Sequence, residues 1–454
     1  MDIELAPSLT ALAEWIRAHD AHAARRLALL ERAQTVLAGE RLDEPARRRR
    51  LAHRLERWRY RLLDDNRDRP DPMSVRLADV LDLARARLCG RRCFPRSPRQ
   101  AVHGCQGDPC VFVEALAALD PSLPLENVTT RARSLTDRHF RDPATHRRRI
   151  LFYAPLYVSS YCRNECAYCG FRRPRELARR RLDPDEAVRQ AAVLRGRGIR
   201  HVLLVAGDDP PHTKTGYFLE LLDGIARLGL SAALEIAPQT TESYRWLAEA
   251  GACGVTLYQE TYDERLYATY HPRGSKASYD WRLEGLERAA EAGIPRLGLG
   301  ILLGLGRPRD ELLCLMRHAR YLQRRFPTMK FAFSLPRIHD APEGFSPPWP
   351  VDDETFIRMF CALRIAFPTA ELVLSTREHA SLRDRLAPVC ITQLSAGSST
   401  APGGYEDGAG DGPAESAQPM RRWAGQFAVA DRRSPAEVAA AMRRLGLEPV
   451  DQIE

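Results

Sequence analysis

Residues 156–171 have the sequence LYVSSYCRNECAYCGF, and the interpretation of the whole chain begins there. Cys162, Cys166 and Cys169 are spaced C-x3-C-x2-C, directly after a run of apolar and aromatic residues that favours a strand. A closed structural zinc site needs four ligands, whereas a cubane iron–sulfur cluster held by three thiolates keeps one iron open for a small chelating molecule. From the spacing alone, both zinc and an iron–sulfur cluster remain open.

From residue 151 onward, short β-rich runs alternate with amphipathic helical stretches. Alternation of this kind predicts a parallel sheet, and eight runs are the number that closes a (β/α)8, TIM-type barrel. A six-stranded partial barrel is the alternative. The cysteine stretch follows the first run, which places it at the mouth where barrel enzymes keep their active sites. The eight runs are 151–157, 201–206, 232–237, 254–258, 297–303, 330–335, 371–375 and 390–395.

The chain is predicted to have four parts. Residues 1–70 form a helical extension, because apolar residues recur there at helical spacing, and 73–150 form a mostly helical region with a cysteine-bearing loop. Residues 151–400 form the barrel, and 401–454 form a C-terminal loop and helix.

The C-terminal part carries recognisable end signals. A Gly/Pro/Ala-rich loop precedes GQFAVA (425–430), which reads as a short strand. Ser434 and Pro435 then mark the start of a helix, and Gly446 marks its end.

The charge of the chain does not by itself indicate a nucleic-acid partner. The net charge is +9, yet only three of the 68 basic residues are lysine, a bias that favours an origin in base composition. The densest basic run, 46–61, has Leu51, Leu55 and Trp58 at helical spacing, which favours an amphipathic helix over RNA or partner docking. No apolar run is long enough for a membrane span, and the acidic N-terminal stretch does not resemble a signal peptide, so we expect a cytoplasmic protein.

The cysteine spacing, with Tyr168 before the last cysteine, resembles the signature of radical S-adenosylmethionine enzymes. The resemblance implies that the three cysteines bind a 4Fe–4S cluster whose open iron chelates the amino and carboxylate groups of S-adenosylmethionine. Reduction of the cluster then yields a 5′-deoxyadenosyl radical, and the protein positions the reactants. Tyr168 is expected to support the adenine.

The same resemblance implies further cofactor contacts at other strand ends. Gly207 and Asp208 occupy the turn after the second run, where the family usually has a Gly-Gly-Glu-like sequence. Glu235 is an acid in an apolar strand and therefore needs a partner, either the cofactor or a structural ion pair. Glu260 and Arg282 are candidates for two more cofactor contacts.

Five longer segments resemble the aromatic amino acid lyase branch of this superfamily, and the 2-iminoacetate synthases of thiamine thiazole synthesis most of all. The resemblance covers residues 110–450 and implies cleavage of the Cα–Cβ bond of L-tyrosine to 2-iminoacetate and p-cresol. It also implies a ferredoxin- or flavodoxin-type electron donor and thiazole synthase as a partner. The segments are PLYVSSYCRNECAYCGF, LYQETYDERLYATYH, LSTREHASLRDRLAP, ITQLSAGSSTAPGGY and GQFAVADRRSPAEVAAAMRRLGLEPV.

Three residues match the substrate contacts of these lyases. Arg377 matches the arginine that binds the substrate carboxylate, a group for which arginine is suited by its paired N–H donors. Ser395 matches a second carboxylate contact, and Tyr157 matches a tyrosine near the substrate amine. The alternative for Arg377 is an ordinary ion pair with Glu378 or Asp384.

Other cysteines separate the related enzymes. The hydrogenase-maturation tyrosine lyase has a C-terminal cysteine motif for a second cluster, but no cysteine follows Cys390 here, so we expect no such cluster. Upstream, Cys89, Cys93, Cys105 and Cys110 could hold a second metal or be ordinary thiols. Two alternative functions remain: a natural-product enzyme acting on tryptophan or another aromatic amino acid, and a non-catalytic iron–sulfur protein that binds RNA or a partner.

Overall fold

The structure is a computed structural model with two compact units. One comprises Met1–Ala101 with Thr240–Glu242, and the other comprises Val102–Gln239 with Ser243–Glu454. The structure describes residues 6–19, 23–37, 47, 50–55, 57–58, 77, 80–81, 84, 97–103, 112–173, 175–339, 341, 344–405 and 425–452.

The first unit is helical and has its own apolar core. Helices α1 (Ala6–His19) and α2 (Ala23–Leu37) are its longest described elements. Leu51, Leu55 and Trp58, the apolar residues of the basic run, are buried in this core, which confirms that the run is amphipathic. The core consists of Leu12, Ile16, Leu29, Leu30, Ala33, Val36, Leu51, Leu55, Trp58, Leu77, Val80, Leu81 and Ala84.

The second unit contains a closed barrel of eight parallel strands, which confirms the predicted (β/α)8 fold. Each strand pairs with the next in chain order, and the first pairs with both the second and the eighth, so the sheet has no open edge between them. The strands are β1 (Arg148–Ser159), β2 (His201–Ala206), β3 (Ser231–Glu235), β4 (Gly254–Thr256), β5 (Arg296–Gly300), β6 (Lys330–Ser334), β7 (Glu371–Leu374) and β8 (Gln393–Ser395).

The helices of the described residues lie mostly between these strands, as a βα barrel requires. They are α3 (Pro98–His103), α4 (Val113–Ala117), α5 (Leu125–Phe140), α6 (Pro184–Gly196), α7 (Thr215–Arg227), α8 (Thr241–Glu249), α9 (Glu264–Tyr270), α10 (Tyr279–Leu283), α11 (Gly285–Glu291), α12 (Pro308–Arg325), α13 (Asp353–Ala366), α14 (Ala380–Cys390) and α15 (Pro435–Arg444). None of the helices in this described part of the chain has the length and apolar character needed to cross a membrane.

The eighth strand begins later than predicted, because residue 390 still belongs to α14. Two buried guanidinium groups complete the end of this helix: Arg148 donates to Pro388 O at 2.8 Å, and Arg364 donates to Cys390 O at 2.9 Å. These donors satisfy carbonyls that a helix end leaves unpaired. Burial also lowers the pKa of Arg148 to about 10.

The predicted strand at 425–430 is wrong. This segment is an irregular chain whose backbone donors reach two different loops: Gln426 N donates to Thr400 O at 3.0 Å, and Ala430 N donates to Thr376 O at 2.9 Å. A strand forms further on instead, where β9 (Leu447–Val450) pairs in parallel with the first residues of β1, below the barrel mouth.

The predicted terminal helix is confirmed as α15. Ser434 and Glu437 form a reciprocal capping box, in which Ser434 N donates to Glu437 Oε2 at 2.8 Å and Glu437 N donates to Ser434 Oγ at 3.3 Å. Gly446 follows the helix with a φ of 77°, a conformation that favours glycine.

Replacing Ser434 with alanine should destabilise the first turn of α15 by about 1 kcal/mol, the typical value for loss of an N-cap. Amide hydrogen exchange at Glu437 should then accelerate roughly fivefold, measured by mass spectrometry or NMR. Glu437→Gln is the matched control, because glutamine also completes a capping box. Equal exchange rates in Ser434→Ala and Glu437→Gln would contradict the assigned cap.

Candidate active site

A cavity of about 90 Å³ lies at the carboxyl ends of the barrel strands. Such a position is where parallel strands of a barrel bring side chains from distant parts of the sequence together. Seven of the predicted site residues line it: Tyr157, Tyr168, Cys169, Glu235, Glu260, Arg377 and Ser395. A single cavity therefore collects predicted site residues that lie up to 238 positions apart in the chain.

The cysteine loop is held in place by backbone hydrogen bonds from three separate elements. Arg163 N donates to Asp208 O at 2.9 Å, Ala167 N to Tyr270 O at 3.0 Å and Gly170 N to Gln426 O at 3.1 Å. The loop that contains the three thiols is therefore preorganised by the turn after β2, by α9 and by the C-terminal segment.

The three thiols have the chemistry of cluster ligands. Cys162 and Cys166 are buried and Cys169 is half-buried. Burial raises the pKa of Cys162 to about 11 and raises that of Cys166 further, so a metal is what would stabilise both as thiolates here. Among the described residues no three His, Cys, Asp or Glu side chains are placed to hold one metal ion. A four-iron cluster does not require such a group, because each thiolate binds a different iron.

Gly207 and Asp208 contact the cysteine loop and do not line the cavity. A Cβ at Gly207 would lie 2.2 Å from Tyr161 O, so this position accepts only glycine without a shift of the backbone. The Asp208 carboxylate accepts hydrogen bonds from Asn164 Nδ2 at 3.2 Å and from Ser275 Oγ. Their direct contact with the cofactor stays a prediction.

Two glutamates inside the cavity have opposite electrostatic environments. Glu260 lies 2.5 Å from Lys276 Nζ and 3.4 Å from Arg282 Nη2, and although burial opposes it, these two cations hold the pKa of Glu260 below its usual range. The side chain of Glu235 has no hydrogen bond or ion pair among the described residues. Burial, followed by the charge of Glu260, raises its pKa to about 7. The structural ion pair considered for Glu235 is therefore absent from the described part of the chain.

Arg282 and Tyr168 are both fixed by neighbours. Arg282 Nε donates to Tyr258 O at 2.6 Å, in addition to its contact with Glu260. The Tyr168 hydroxyl lies 2.8 Å from His271 Nε2. Tyr168 lines the cavity, whereas Arg282 lies behind Glu260 and does not line it, so its direct contact with the cofactor stays a prediction.

Arg377 projects into the cavity beside an aromatic ring. Its guanidinium carbon lies 3.4 Å from the centre of the Phe427 ring, a cation–π contact that fixes the side chain without neutralising it. Its charge lowers the pKa of Glu235, but no carboxylate in the described residues lies within ion-pair distance of it.

The ion-pair alternative for Arg377 is wrong, because both candidate acids have other partners. Glu378 accepts from Arg337 Nε at 3.1 Å, and Asp384 is held in a bidentate pair by Arg433 at 2.8 and 2.9 Å. Within the part of the chain that the structure describes, Arg377 therefore remains available for a carboxylate that the protein does not supply.

Ser395 and Tyr157 line the cavity on β8 and β1, the strands that follow β7 around the barrel. Ser395 Oγ accepts from Thr376 N at 2.9 Å, which orients the hydroxyl at the end of β8. The Tyr157 hydroxyl donates to Gln426 Oε1 at 2.7 Å.

Gln426 and Phe427 also line the cavity, although the sequence predicts no role for either. Both occur in the GQFAVA segment, whose alternation predicts a strand and which is among the segments that carry the family resemblance. The available signal was the family resemblance of that segment, because a strand remote from the active site would not explain why the segment resembles other members of the family.

A second cavity of about 420 Å³ occupies the lower half of the barrel. It shares Tyr153, Leu203, Tyr258 and Ser334 with the upper cavity, so these four side chains separate the two spaces. Its polar wall contains Arg296, whose Nε lies 2.5 Å from Glu371 Oε2.

The upstream cysteines 89, 93, 105 and 110 lie outside the described residues. Whether they bind a metal therefore stays a prediction from the sequence.

The fold and the cysteine loop define a radical S-adenosylmethionine enzyme. Residues 156–319 match the Radical SAM superfamily, and residues 334–448 match the Biotin and Thiamin Synthesis associated domain. The protein accordingly uses a 4Fe–4S cluster and S-adenosylmethionine, and the two buried thiols, the half-buried Cys169 and the unpaired carboxylate of Glu235 fit these groups.

Within that superfamily, the chain belongs to the 2-iminoacetate synthase family. It is 35% identical over 340 residues to 2-iminoacetate synthase of Escherichia coli, a match that covers 74% of this chain and 85% of that enzyme. The identity to 2-iminoacetate synthase of Salmonella typhimurium is also 35% over 340 residues. These matches confirm the resemblance drawn from the motifs.

Two solved structures are similar to this one. A crystal structure of HydG, a maturase of the FeFe-hydrogenase, is similar with a TM-score of 0.67 and 30% identity, covering 82% of this chain and 79% of that one. HydG from Carboxydothermus hydrogenoformans has a TM-score of 0.66 and 28% identity, covering 90% and 85%.

The raised pKa of Glu235 predicts a pH-dependent stability in protein prepared without cluster or cofactor. Because its pKa in the folded state is about 7 against an ordinary 4.5, its contribution to stability is complete below about pH 4.5 and is lost as the pH rises to 7. Glu235→Gln should therefore stabilise the protein at pH 8, by about 3 kcal/mol, and leave it nearly unchanged near pH 4.5. Denaturant unfolding at both pH values measures this difference.

The exposed Glu220 supplies the control for this prediction. Glu220→Gln should unfold like the wild type at both pH values, since its side chain loses little contact with water on folding. A Glu235→Gln protein that is less stable than the wild type at pH 8 would show that the carboxylate is favourably paired.

Proposed function

We propose that this protein is a lyase that cleaves the Cα–Cβ bond of L-tyrosine, giving 2-iminoacetate and p-cresol, in the synthesis of the thiamine thiazole. The single observation that carries the proposal is Arg377, a cation without a carboxylate partner among the described residues, in a cavity that Tyr157 and Cys169 of the cysteine loop also line. An amino acid is the kind of molecule that supplies both a carboxylate and an amine to such a pair. The sequence similarity to the 2-iminoacetate synthases of Escherichia coli and Salmonella typhimurium supports the same substrate.

The proposed cofactor contacts come from this chain's own residues. Cys162, Cys166 and Cys169 would hold the cluster, while Glu235 and Glu260 would bind polar groups of S-adenosylmethionine. When bound, the reduced cluster and S-adenosylmethionine supply a carbon radical that takes one hydrogen atom from the substrate.

The role of the remaining residues is to decide which hydrogen is taken. Arg377 and Ser395 hold the substrate carboxylate, and Tyr157 accepts a hydrogen bond from the substrate amine. With both groups held, the amine is turned toward the cysteine loop, and proximity selects an N–H hydrogen.

Loss of that hydrogen weakens the bond between Cα and Cβ of the substrate. The bond divides to leave 2-iminoacetate and a 4-hydroxybenzyl radical, and the latter becomes p-cresol when it gains one electron and one proton. Tyr153, Tyr258 and Leu302 also line the cavity, and their apolar surface limits contact of this radical with water.

The proposed reaction consumes electrons, and its product 2-iminoacetate is hydrolysed by water. We infer a ferredoxin- or flavodoxin-type protein as the electron donor and thiazole synthase as the acceptor of 2-iminoacetate. We also place the protein in the cytoplasm, whose reducing conditions suit an iron–sulfur cluster. Residues 391–454 contain no cysteine, which favours this role over one that needs a second cluster there.

The proposed function predicts specific products. Anaerobically reconstituted protein with dithionite, S-adenosylmethionine and L-tyrosine should yield p-cresol, glyoxylate from hydrolysed 2-iminoacetate, and 5′-deoxyadenosine, all measured by liquid chromatography and mass spectrometry. Parallel reactions with tryptophan and phenylalanine are the controls. Formation of 5′-deoxyadenosine and an indole product with tryptophan, without p-cresol from tyrosine, would instead support the tryptophan-cleaving alternative.

The proposed role of Arg377 predicts that lysine cannot replace it, although lysine keeps the positive charge that faces the substrate carboxylate. Arg377→Lys removes the paired donors and should reduce kcat/KM for tyrosine about 10- to 100-fold, mostly through KM, as loss of a charge-assisted hydrogen bond implies. The exposed Arg147, which pairs with Glu448, supplies the matched control Arg147→Lys, with kinetics expected to equal the wild type. An unchanged KM in Arg377→Lys would mean that the substrate carboxylate binds elsewhere.

A further inference from the structure

One amide side chain bridges the cysteine loop and the proposed substrate site. Gln426 Nε2 lies 3.7 Å from Cys169 Sγ, while Gln426 Oε1 accepts the Tyr157 hydroxyl proton at 2.7 Å. Cys169 and Tyr157 are the last cysteine of the loop and the end of β1, and they lie twelve positions apart in the sequence. Gln426 reaches both from the opposite end of the chain.

The chemistry of the sulfur fixes which way the amide points. A cluster-bound thiolate sulfur has no proton and can only accept, so the NH2 group of Gln426 must face Cys169 and the carbonyl oxygen must face Tyr157. The Tyr157 hydroxyl then has to donate its single proton to Gln426. The lone pairs of the phenol oxygen are therefore left for a donor in the cavity, which Tyr157 lines.

The backbone around Gln426 is placed as firmly as its side chain. Gln426 N donates to Thr400 O at 3.0 Å, and Gln426 O accepts from Gly170 N at 3.1 Å, directly after Cys169. A Cβ at Gly170 would lie 2.6 Å from Gln426 O, so the close approach of the two segments requires glycine. Thr400 Oγ1 also donates to Phe427 O at 2.7 Å.

We propose that Gln426 is a positioning residue that joins the cluster to the substrate amine. Its N–H donor stabilises the extra negative charge that the cluster takes up on reduction, and its oxygen directs the Tyr157 hydroxyl so that the phenol oxygen accepts from the substrate amine. The second half of this inference rests on the proposed function, whereas the first half does not. Hydrogen bonds to cluster sulfurs are among the factors that set the reduction potential.

The first test measures the reduction potential of the reconstituted cluster by a redox titration followed by electron paramagnetic resonance, without substrate. Gln426→Met keeps the size of the side chain and removes both hydrogen bonds. At the potential that half-reduces the wild-type cluster, the ratio of reduced to oxidised cluster in Gln426→Met should be at least about threefold lower. A tenfold change in this ratio corresponds to about 59 mV. Tyr157→Phe should leave the ratio close to that of the wild type.

The second test separates the two hydrogen bonds by kinetics with L-tyrosine. Gln426→Glu keeps an acceptor for Tyr157 but removes the donor to sulfur, so the potential should become more negative while KM stays within about threefold of the wild type. Gln426→Met and Tyr157→Phe should both raise KM, by about tenfold, as loss of one hydrogen bond to the amine implies.

The control is Gln323→Met, a half-buried glutamine on α12 that accepts from Arg320 Nη1 at 2.7 Å, away from the cysteine loop. It should change neither the potential nor KM. Unchanged potentials in both Gln426 variants, with full iron content, would overturn the proposal even if tyrosine is cleaved normally. If the potential is shifted in the Gln426 variants but the wild-type protein does not cleave tyrosine, the hydrogen bond from Gln426 to Cys169 is upheld and the proposed function is refuted.

Discussion

Closure of the parallel sheet is the constraint on which the site depends. The first strand pairs with its neighbour in the sequence and also with the eighth strand, about 240 residues later, so every strand ends at the same mouth. Without that closure, the side chains of Tyr157, Arg377 and Ser395 would not line the same cavity. The buried guanidinium groups of Arg148 and Arg364 contribute to this closure, because they complete the helix that leads into the last strand.

At the barrel mouth, residues of the same type have different electrostatic environments. Glu260 is compensated by Lys276 and Arg282 and stays ionised, whereas Glu235 is enclosed without such partners and has a raised pKa. Arg377 is likewise distinguished from its neighbours: the acids next to it in the sequence are engaged by other arginines, and it is held by the Phe427 ring. Groups left without a protein partner are the ones that a cofactor and a substrate can engage.

Sequence reasoning identified most of the site because local motifs carry its chemistry. The cysteine spacing, the acid in an apolar strand and the arginine at the end of a strand are each visible within a few residues. It failed at Gln426 and Phe427, where GQFAVA has the alternation of a strand but its backbone donors bond to two different loops. Nothing local in that segment reveals which loops lie nearby, and the same limit left the ion pair of Arg377 with Glu378 or Asp384 open.

The amino-acid sequence by itself determined the class of barrel and the family, because strand periodicity and the family motifs are local properties of the chain. Tertiary structure alone decided which charges remain uncompensated and which side chain connects the cysteine loop to the substrate wall. The physical reason is that ion pairing and burial depend on neighbours hundreds of residues away. Only closure of the barrel and return of the C-terminal segment bring Gln426 within hydrogen-bonding distance of Tyr157 and Cys169.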